Sequence, residues 1–511
     1  MSLYRFFCVL TIFLFITCKN SNDSVKPNIV LFLVDDLGWQ DTSVSFWDRE
    51  TKFNRLYNTP NMEILADMGV KFTNAYATPV CSPSRISLMT GINAARHRVT
   101  NWTLHPDVKK PAEINHNTFN FPNWNYNGLS VSDSIPNSVF ATPLPQVLKE
   151  NGYFTIHAGK AHLGAIGYPS SNPLNIGFDV NIAGHAAGAP QSYLGIDNFG
   201  NNDLKNKIWA VPGLEKYHGQ DIFLTEALTL EILENLKEPI ESKSPFFLYF
   251  SLYNVHTPLM QDNRFVEKYQ NIGLESSEIK YASMIESMDH ALGSILKKLK
   301  HENILNNTII IFMSDNGGLS AVVREGEKHN HNYPLKSGKG SIYEGGIRVP
   351  MIVYSPFNNN NNIKKVDHPV IIDDFFPSVL ELTNSDTKSI IQKVDGKSFV
   401  PLLKNETSEL KPLFWHYPNW WGPSGPGIGS YSAVRKGNWK LIYFHHNQTI
   451  ELYNLKEDIF ENDNLVTKEP SRSSELSNLL TDYLISVDAQ MPFNKIKNSA
   501  VPWPNEISIN D

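Results

Sequence analysis

At 511 residues the chain exceeds one typical core and predicts a large domain with a smaller one beside it. Hydrophobic residues at 41% and charged residues at 19% are the balance of a chain that buries a sizeable core. A formal net charge of -7 excludes a nucleic-acid binder, which needs a basic surface for phosphate contacts, and leaves any anionic substrate to a local cluster of Lys, Arg and His.

Residues 4–18 begin with Tyr4 and Arg5, run through Phe, Leu, Ile and Val to Cys18, and then switch to the polar stretch Lys19 to Ser24. This is the pattern of a secretory signal rather than a spanning helix, so the chain is expected to be exported. Cys18 closes the run after Phe15-Ile16-Thr17 and resembles a loose bacterial lipobox. It is therefore expected to be the lipidated first residue of a lipoprotein at the cell surface or periplasm, with membrane contact only through that anchor; a plain cleaved signal is the alternative. With Cys8 inside the signal and Cys18 at its end, Cys81 is the only cysteine of the folded body. No internal disulfide is possible there, and an unpaired thiol in an exported protein points to a chemical role.

After the signal, Pro27 to Val34 is nearly all apolar, as in a strand buried on both faces of a parallel sheet, and it ends in Asp35-Asp36-Leu37-Gly38. Open α/β sheets bind ligands at such strand ends, and two carboxylates there suit a hard cation such as Ca2+ or Mg2+; an exposed Asp-Asp turn is the plainer alternative. Cys81-Ser82-Pro83-Ser84-Arg85 stands at an expected helix start, with Arg85 within reach of an anion held at the helix N-terminus. An ordinary buried cysteine is the alternative there. Residues 101–134 lack a sustained period and predict a long loop, in which Trp102, His105, His116, Trp124 and Tyr126 are of the types that stack on and hydrogen-bond to sugars.

Pro145 to Asn151 predicts a short helix and Tyr153 to Ala158 the next strand. Gly159-Lys160-Ala161-His162-Leu163-Gly164 then sets a cation and an imidazole two residues apart, and His185 is a further candidate substrate contact. Asp221 to Leu236 carries Phe223, Ala227, Leu230 and Leu233 at helical spacing. Pro245 to Leu252 is an apolar strand leading to His256, which in isolation is most simply structural. Glu278 to Lys300 is the clearest helix. Thr308 to Met313 is a strand ending in Ser314-Asp315-Asn316, a second oxygen-ligand pair that would close a divalent-cation site with Asp35 and Asp36. A glycine-loosened basic loop carries Lys336 and Lys339, Met351 to Tyr354 is a short strand, residues 358–362 are a low-complexity loop, and Asp373 to Leu382 predicts the helix that ends the large domain.

From about residue 386 the texture changes. Alternation in Ser432 to Arg435, Trp439 to Tyr443 and Ile450 to Tyr453 predicts a small antiparallel sheet, with a helix over Ser473 to Val487 packed on it and a tail over 491–511. Trp415 to Trp421, backed by Gly422, Gly425, Gly427 and Gly429, is expected to be a flexible aromatic loop. Either it overhangs the pocket and recognises a sugar, with His416 as a candidate contact, or it plugs the space between domains.

Cys81-Ser82-Pro83-Ser84-Arg85, followed by Leu88-Met89-Thr90-Gly91, resembles the signature of the type I sulfatases, whose cysteine is oxidised after translation to formylglycine (3-oxoalanine) by a formylglycine-generating or equivalent maturation enzyme. Gly159 to Gly164 resembles the family's Gly-Lys-aromatic-His-Leu-Gly element, but Ala161 stands where the family usually has Trp or Phe; the missing ring is expected to alter packing or open the pocket rather than abolish chemistry. His256-Thr257-Pro258 matches the family's His-x-Pro loop and Lys339 its sulfate-binding lysine. Lys336 fills a position that is often arginine and is read here as a solvated charge. The elements occur in the family's order over roughly residues 27 to 490.

The resemblance implies an alkaline-phosphatase-like α/β fold: a large mixed sheet sandwiched by helices over 27–385, and a smaller antiparallel sheet with a helix over 386–490. It implies one Ca2+, with Mg2+ the second choice, held by Asp35, Asp36, Asp315, Asn316 and the modified Cys81. Arg85, Lys160 and Lys339 would neutralise the sulfate, and hydrated formylglycine would attack sulfur. His162 would assist collapse of the resulting ester, and His256 would serve the departing sugar oxygen. The expected function is exo-acting hydrolysis of sulfate esters on a polysaccharide or oligosaccharide. A phosphoester or phosphonate hydrolase on the same frame is one alternative, distinguished by comparing aryl sulfate with aryl phosphate turnover. A catalytically silent glycan-binding lipoprotein is another, marked by an intact thiol and binding without turnover.

Overall fold

The computed structural model describes residues 26–107, 116–203, 205, 207–319, 332–357, 363–421 and 425–508, and the backbone alone of 323–324 and 327–328. The expected signal with Cys18, the loop 358–362 and Gly422 lie outside the described residues.

The long apolar runs form the centre of one large sheet. Its strands are β1 (Asn28–Val34), β2 (Val70–Tyr76), β3 (Phe154–Gly159), β4 (Val180–Ile182), β5 (Phe246–Ser251), β6 (Thr308–Ser314), β7 (Arg348–Tyr354), β8 (Lys365–Val366) and β9 (Val370–Ile371). They lie in the order β8-β2-β7-β6-β1-β5-β3-β4, with β9 also paired to β2. β1 runs parallel to β5 and β6, and β3 parallel to β5 and β4, whereas β7 is antiparallel to both of its neighbours. Every residue of β1, β5 and β6 is buried, which is why these strands show no alternation in the sequence.

Among the described residues the α-helices of seven residues or more are α1 (Pro60–Met68), α2 (Cys81–Thr90), α3 (Leu144–Glu150), α4 (Leu224–Asn235), α5 (Ser276–His301), α6 (Phe375–Thr383) and α7 (Pro470–Ser486). Ile29, Leu31 and Leu33 of β1 share one core with α2, α3 and α6, while Val30, Phe32 and Val34 share the other with α1, α4 and α5. The sheet is therefore sandwiched.

A second, antiparallel sheet follows, built in chain order from β10 (Leu413–Tyr417), β11 (Tyr431–Lys436), β12 (Trp439–Phe444) and β13 (Thr449–Asn454). Trp415, Ala433 and Ile442 join the core of the large sheet, and Val434, Leu441 and Tyr443 meet Leu476, Leu480 and Leu484 of α7. Along the seam Lys440 donates to Glu344 Oε1 and Glu461 Oε1, both at 2.9 Å. Tyr76 donates to Glu344 at 2.6 Å, and Arg435 donates to Tyr76.

Two expectations change. Leu413–Tyr417 is a strand rather than the front of a flexible loop, because Trp415 is core and its Nε1 donates to Ala77 O at 2.9 Å. Residues 101–134 are not all loop: Phe119–Asn120 pairs with Phe493–Asn494, and Gly128–Ser130 pairs in parallel with Ser138–Phe140. The former pairing ties part of the expected tail into the body. Among the described residues no helix is long and apolar enough to cross a membrane. A large mixed sheet sandwiched by helices beside a small antiparallel one is the alkaline-phosphatase-like arrangement.

Candidate active site

The C-terminal ends of the central strands converge on one buried point. Asp35 and Asp36 follow β1, Asp315 and Asn316 follow β6, Lys160 follows β3, and Ser251 ends β5. Backbone bonds lock these ends together: Asp315 N donates to Val34 O at 3.0 Å and Lys160 N to Ser251 O at 2.7 Å. Cys81 is the first residue of α2 and is 4% exposed.

Oxygens of Asp35, Asp36 and Asp315 lie within 4.8 Å of one another. Asp35 Oδ1, Asp36 Oδ2 and Asn316 Oδ1 are buried with no hydrogen-bond partner among the described residues. Orphaned buried oxygens carry a heavy desolvation cost, and an all-oxygen donor set of this kind fits a hard divalent cation. The other carboxylate oxygens of Asp35 and Asp36 meet cations: Lys160 Nζ is 2.6 Å from Asp35 Oδ2 and Lys339 Nζ 2.6 Å from Asp36 Oδ1. Arg85 Nε donates to Asp315 Oδ2 at 2.9 Å, its Nη2 lies 2.8 Å from the same oxygen, and its Nη1 donates to Lys160 O and to Ser251 Oγ.

The charges shape each titration. Burial drives Asp35 well above the usual carboxylate range, with Lys160 only partly offsetting it. Burial works in the same direction on Asp36, but Lys339, His256 and Lys160 outweigh it and hold that carboxyl below its ordinary value. Burial raises the Cys81 thiol against the pull of Lys160 and Lys339. His162 is driven well below its ordinary value by burial and by Lys160 and Arg85, and is therefore neutral. His256 is pushed down to about 3 by burial and Lys339.

Of the residues singled out from the sequence, Asp35, Asp36, Cys81, Arg85, Lys160, Asp315, Asn316 and Lys339 form this cluster. His256 joins it with Nε2 3.7 Å from Asp36 Oδ2 and 18% side-chain exposure. His162 Nε2 lies 2.9 Å from Thr103 O, and the Trp102 ring is 6.4 Å from the His162 ring. His185 accepts His162 N at its carbonyl, and its own Nε2 is buried without a hydrogen-bond partner among the described residues. His105 is half-buried on the segment that carries Trp102 and Thr103.

His416 is a correction. Its Nδ1 faces Ser432 Oγ at 2.8 Å and its Nε2 faces Gln490 O at 2.9 Å, so neither nitrogen is left for a sugar. Trp124 and Trp415 are core. Lys336 is not a solvated charge either: its ammonium donates to Glu461 O at 2.8 Å and lies 4.0 Å from the centre of the Tyr343 ring. Trp421, by contrast, reaches the site. It lies on Gly340, where a Cβ would come within 1.9 Å of its ring, and Lys339 Nζ is 6.0 Å from the ring centre. The sequence reading missed Ser251, Thr103 and Ser82. It also missed Tyr417, whose buried hydroxyl lacks a hydrogen-bond partner among the described residues and whose ionisation is opposed by burial, Tyr431 and Cys81. Only Ser251 left a local signal, at the end of an apolar strand.

Three carboxylates interleaved with three cations around a buried cysteine, at the strand ends of this fold, define a hydrolase of anionic esters built on a metal site. The chain belongs to the sulfatase family: the Sulfatase family model matches residues 27–385, and the model described as N-sulphoglucosamine sulphohydrolase, C-terminal, matches 337–490. It is 28% identical to a sulfatase of Formosa agariphila over 96% of this chain and 94% of that protein. It is 30% identical to the N-acetylgalactosamine-6-sulfatase of Mus musculus over 77% of this chain and 69% of that protein. The solved structure of Ps i-CgsB in complex with k-i-k-neocarrahexaose is 28% identical, with a TM-score of 0.69, covering 90% of this chain and 93% of that one. The protein is a sulfatase.

Proposed function

We propose that this sulfatase removes sulfate from a sulfated carbohydrate, acting from a chain end, with formylglycine at residue 81 and Ca2+ as its metal. The observation that carries the reading is the placement of Cys81 at the start of α2, where it feels the charges of Lys160, Lys339, Asp315 and Asp35. A nucleophile and the cations an anion requires stand at one point. The sugar is supported by the carbohydrate bound to the similar Ps i-CgsB structure and by the indoles of Trp102 and Trp421 beside the cluster. Export with a lipid anchor at Cys18 suits a substrate outside the cell.

Hydrated formylglycine would supply the hydroxyl that attacks sulfur, and a divalent cation held by Asp35, Asp36, Asp315 and Asn316 would draw charge from the sulfate oxygens. Lys160 and Lys339 neutralise the same oxygens, in a buried site where each charge acts strongly. Arg85, bound to Asp315, Ser251 and the Lys160 carbonyl, holds the strand ends in register beneath them. His256 Nδ1 is engaged by Thr257 O at 2.6 Å, which keeps the neutral ring's proton on that nitrogen; the bare Nε2 would receive the proton given up by the attacking hydroxyl and pass it to the departing sugar oxygen. His162, neutral in this environment, takes the proton that must leave residue 81 as sulfate departs.

Protein produced together with a formylglycine-generating enzyme is expected to release sulfate from a member of a panel of sulfated mono- and oligosaccharides. No release from any member refutes the carbohydrate reading. A mass measurement on the peptide carrying residue 81 tests the nucleophile, and an unmodified thiol in active protein overturns it.

A further inference from the structure

His162 is restrained from three directions, and the restraints leave one nitrogen free. Nε2 stands 2.9 Å from Thr103 O. A carbonyl only accepts, so the neutral ring carries its proton on Nε2. Nδ1 is then bare, and it is buried without a hydrogen-bond partner among the described residues. The ring meets the backbone of Gly188, where a Cβ would lie 2.3 Å from Cε1, 2.6 Å from Nδ1 and 2.8 Å from Nε2. No side chain fits at residue 188 while the imidazole keeps this position. The segment that makes the approach is almost entirely small: Ala183, Gly184, Ala186, Ala187, Gly188 and Ala189.

The third restraint comes from the residue next to the nucleophile. The buried Ser82 hydroxyl accepts from Thr103 N at 3.1 Å and donates to His162 O at 3.2 Å. One hydroxyl thus ties together the start of α2, the segment whose carbonyl sets the tautomer, and the histidine itself. His162 also has a left-handed backbone, with φ at 52°, a conformation that persists for a non-glycine residue only where the surroundings impose it.

We propose that Gly188 and Ser82 are positioning residues that hold His162 in the Nε2–H form, with Nδ1 as its one free nitrogen for proton transfer at residue 81. The inference rests on the sulfatase reading above and deepens it. Neither residue touches the cations expected to bind sulfate, so their loss acts on turnover and spares binding.

Gly188→Ala and Ser82→Ala are expected to lower kcat about 100-fold, the scale of an ångström-level misplacement of a catalytic group, with KM within about twofold of the parent. Ser82→Thr, which keeps the hydroxyl, is expected to recover most of the lost kcat. A purely structural role predicts instead a lowered melting temperature with kcat per folded molecule unchanged, and that outcome overturns the proposal. A second readout needs no turnover: in protein labelled with 15N-histidine, His162 is expected to show a protonated Nε2 and a bare Nδ1, and Gly188→Ala to mix the tautomers. The opposite tautomer in the parent protein overturns the proposal even if sulfate is released, and the expected one upholds it even if no tested sugar is a substrate.

Discussion

Replacing Lys440 by methionine removes one charge from the seam between the two sheets and keeps a side chain of similar length. Lys440 is fully buried and bridges Glu344 of the large sheet's side to Glu461. Removing one partner of a buried ion pair costs about 3–5 kcal/mol, because the remaining charge is left without compensation. The two carboxyls respond differently. Burial opposes ionisation at Glu344, but Lys440, Arg348 and Arg435 outweigh it, and the two arginines remain in the variant. Burial already pushes Glu461 up to about 7, against the pull of Lys440, so without Lys440 it takes up a proton.

The deficit therefore depends on pH, with a definite sign. A carboxyl whose folded pKa lies above its unfolded value costs no stability below the unfolded value. It then costs about 1.4 kcal/mol per pH unit until the folded value is reached. The parent protein's loss stops near pH 7, whereas the variant's continues above it. Lys440→Met is expected to be least harmful below pH 7 and to lose about 1.4 kcal/mol more by pH 8. For 511 residues an unfolding entropy of about 1.1 kcal/mol/K turns 4 kcal/mol into a drop of about 4 °C in melting temperature. Scanning calorimetry at pH 6 and pH 8 measures it. Glu461→Gln in the same chain supplies a neutral partner and is expected to abolish the pH-dependent part. A deficit equal at both pH values, or a double variant with the same slope as the single, refutes the reasoning.

Lys339→Ala is expected to reduce kcat/KM for a sulfate ester by on the order of 10³, the scale for losing one charge-stabilising donor in a dry site, with steady-state sulfate release as the measurement. Chelation with EDTA is expected to abolish turnover and excess Ca2+ to restore it; added Ca2+ is expected to raise the melting temperature of the parent protein, and Asp36→Asn to remove that rise. His416→Gln is expected to leave kcat and KM unchanged while costing about 1–3 kcal/mol for its two buried hydrogen bonds; lost activity at full stability would make His416 a substrate contact after all.

The residues that would hold the metal were legible because β1 is apolar from Ile29 to Val34 and β6 from Ile309 to Met313, so a carboxylate just past each run marks a strand end rather than a surface turn. β2 was not legible, since Lys71, Thr73 and Asn74 interrupt its pattern and the strand lies towards the sheet's edge. β10 was hidden for another reason. Leu413 to Tyr417 is aromatic and runs into Pro418 and a glycine-rich stretch, which imitates a loop, while its burial comes from two different cores that sequence alone does not reveal. The same limit explains the aromatic residues: their type suggests sugar contact, but Trp102 and Trp421 reach the site while Trp124 and Trp415 fill the core. Gly188 and Ser82 act through contacts with segments remote from them in sequence, which no local pattern encodes.

Charge balance links the fold to the chemistry. With Asp35 ionised against the opposition of burial, Asp35, Asp36 and Asp315 carry three negative charges where Arg85, Lys160 and Lys339 carry three positive ones, all buried. In that state Lys160 and Lys339 are spent on Asp35 and Asp36, and the cluster offers no surplus charge to an anion. The orphaned oxygens of Asp35, Asp36 and Asn316 are where a divalent cation fits, and its two charges leave the site net positive by two. A sulfate ester carries one negative charge and free sulfate two. The loaded site therefore matches the charge of the product more closely than that of the substrate, which favours a transition state in which the second charge is developing. The three aspartates at the strand ends thus do more than hold a metal: with the cation in place they set the surplus charge that an anion meets.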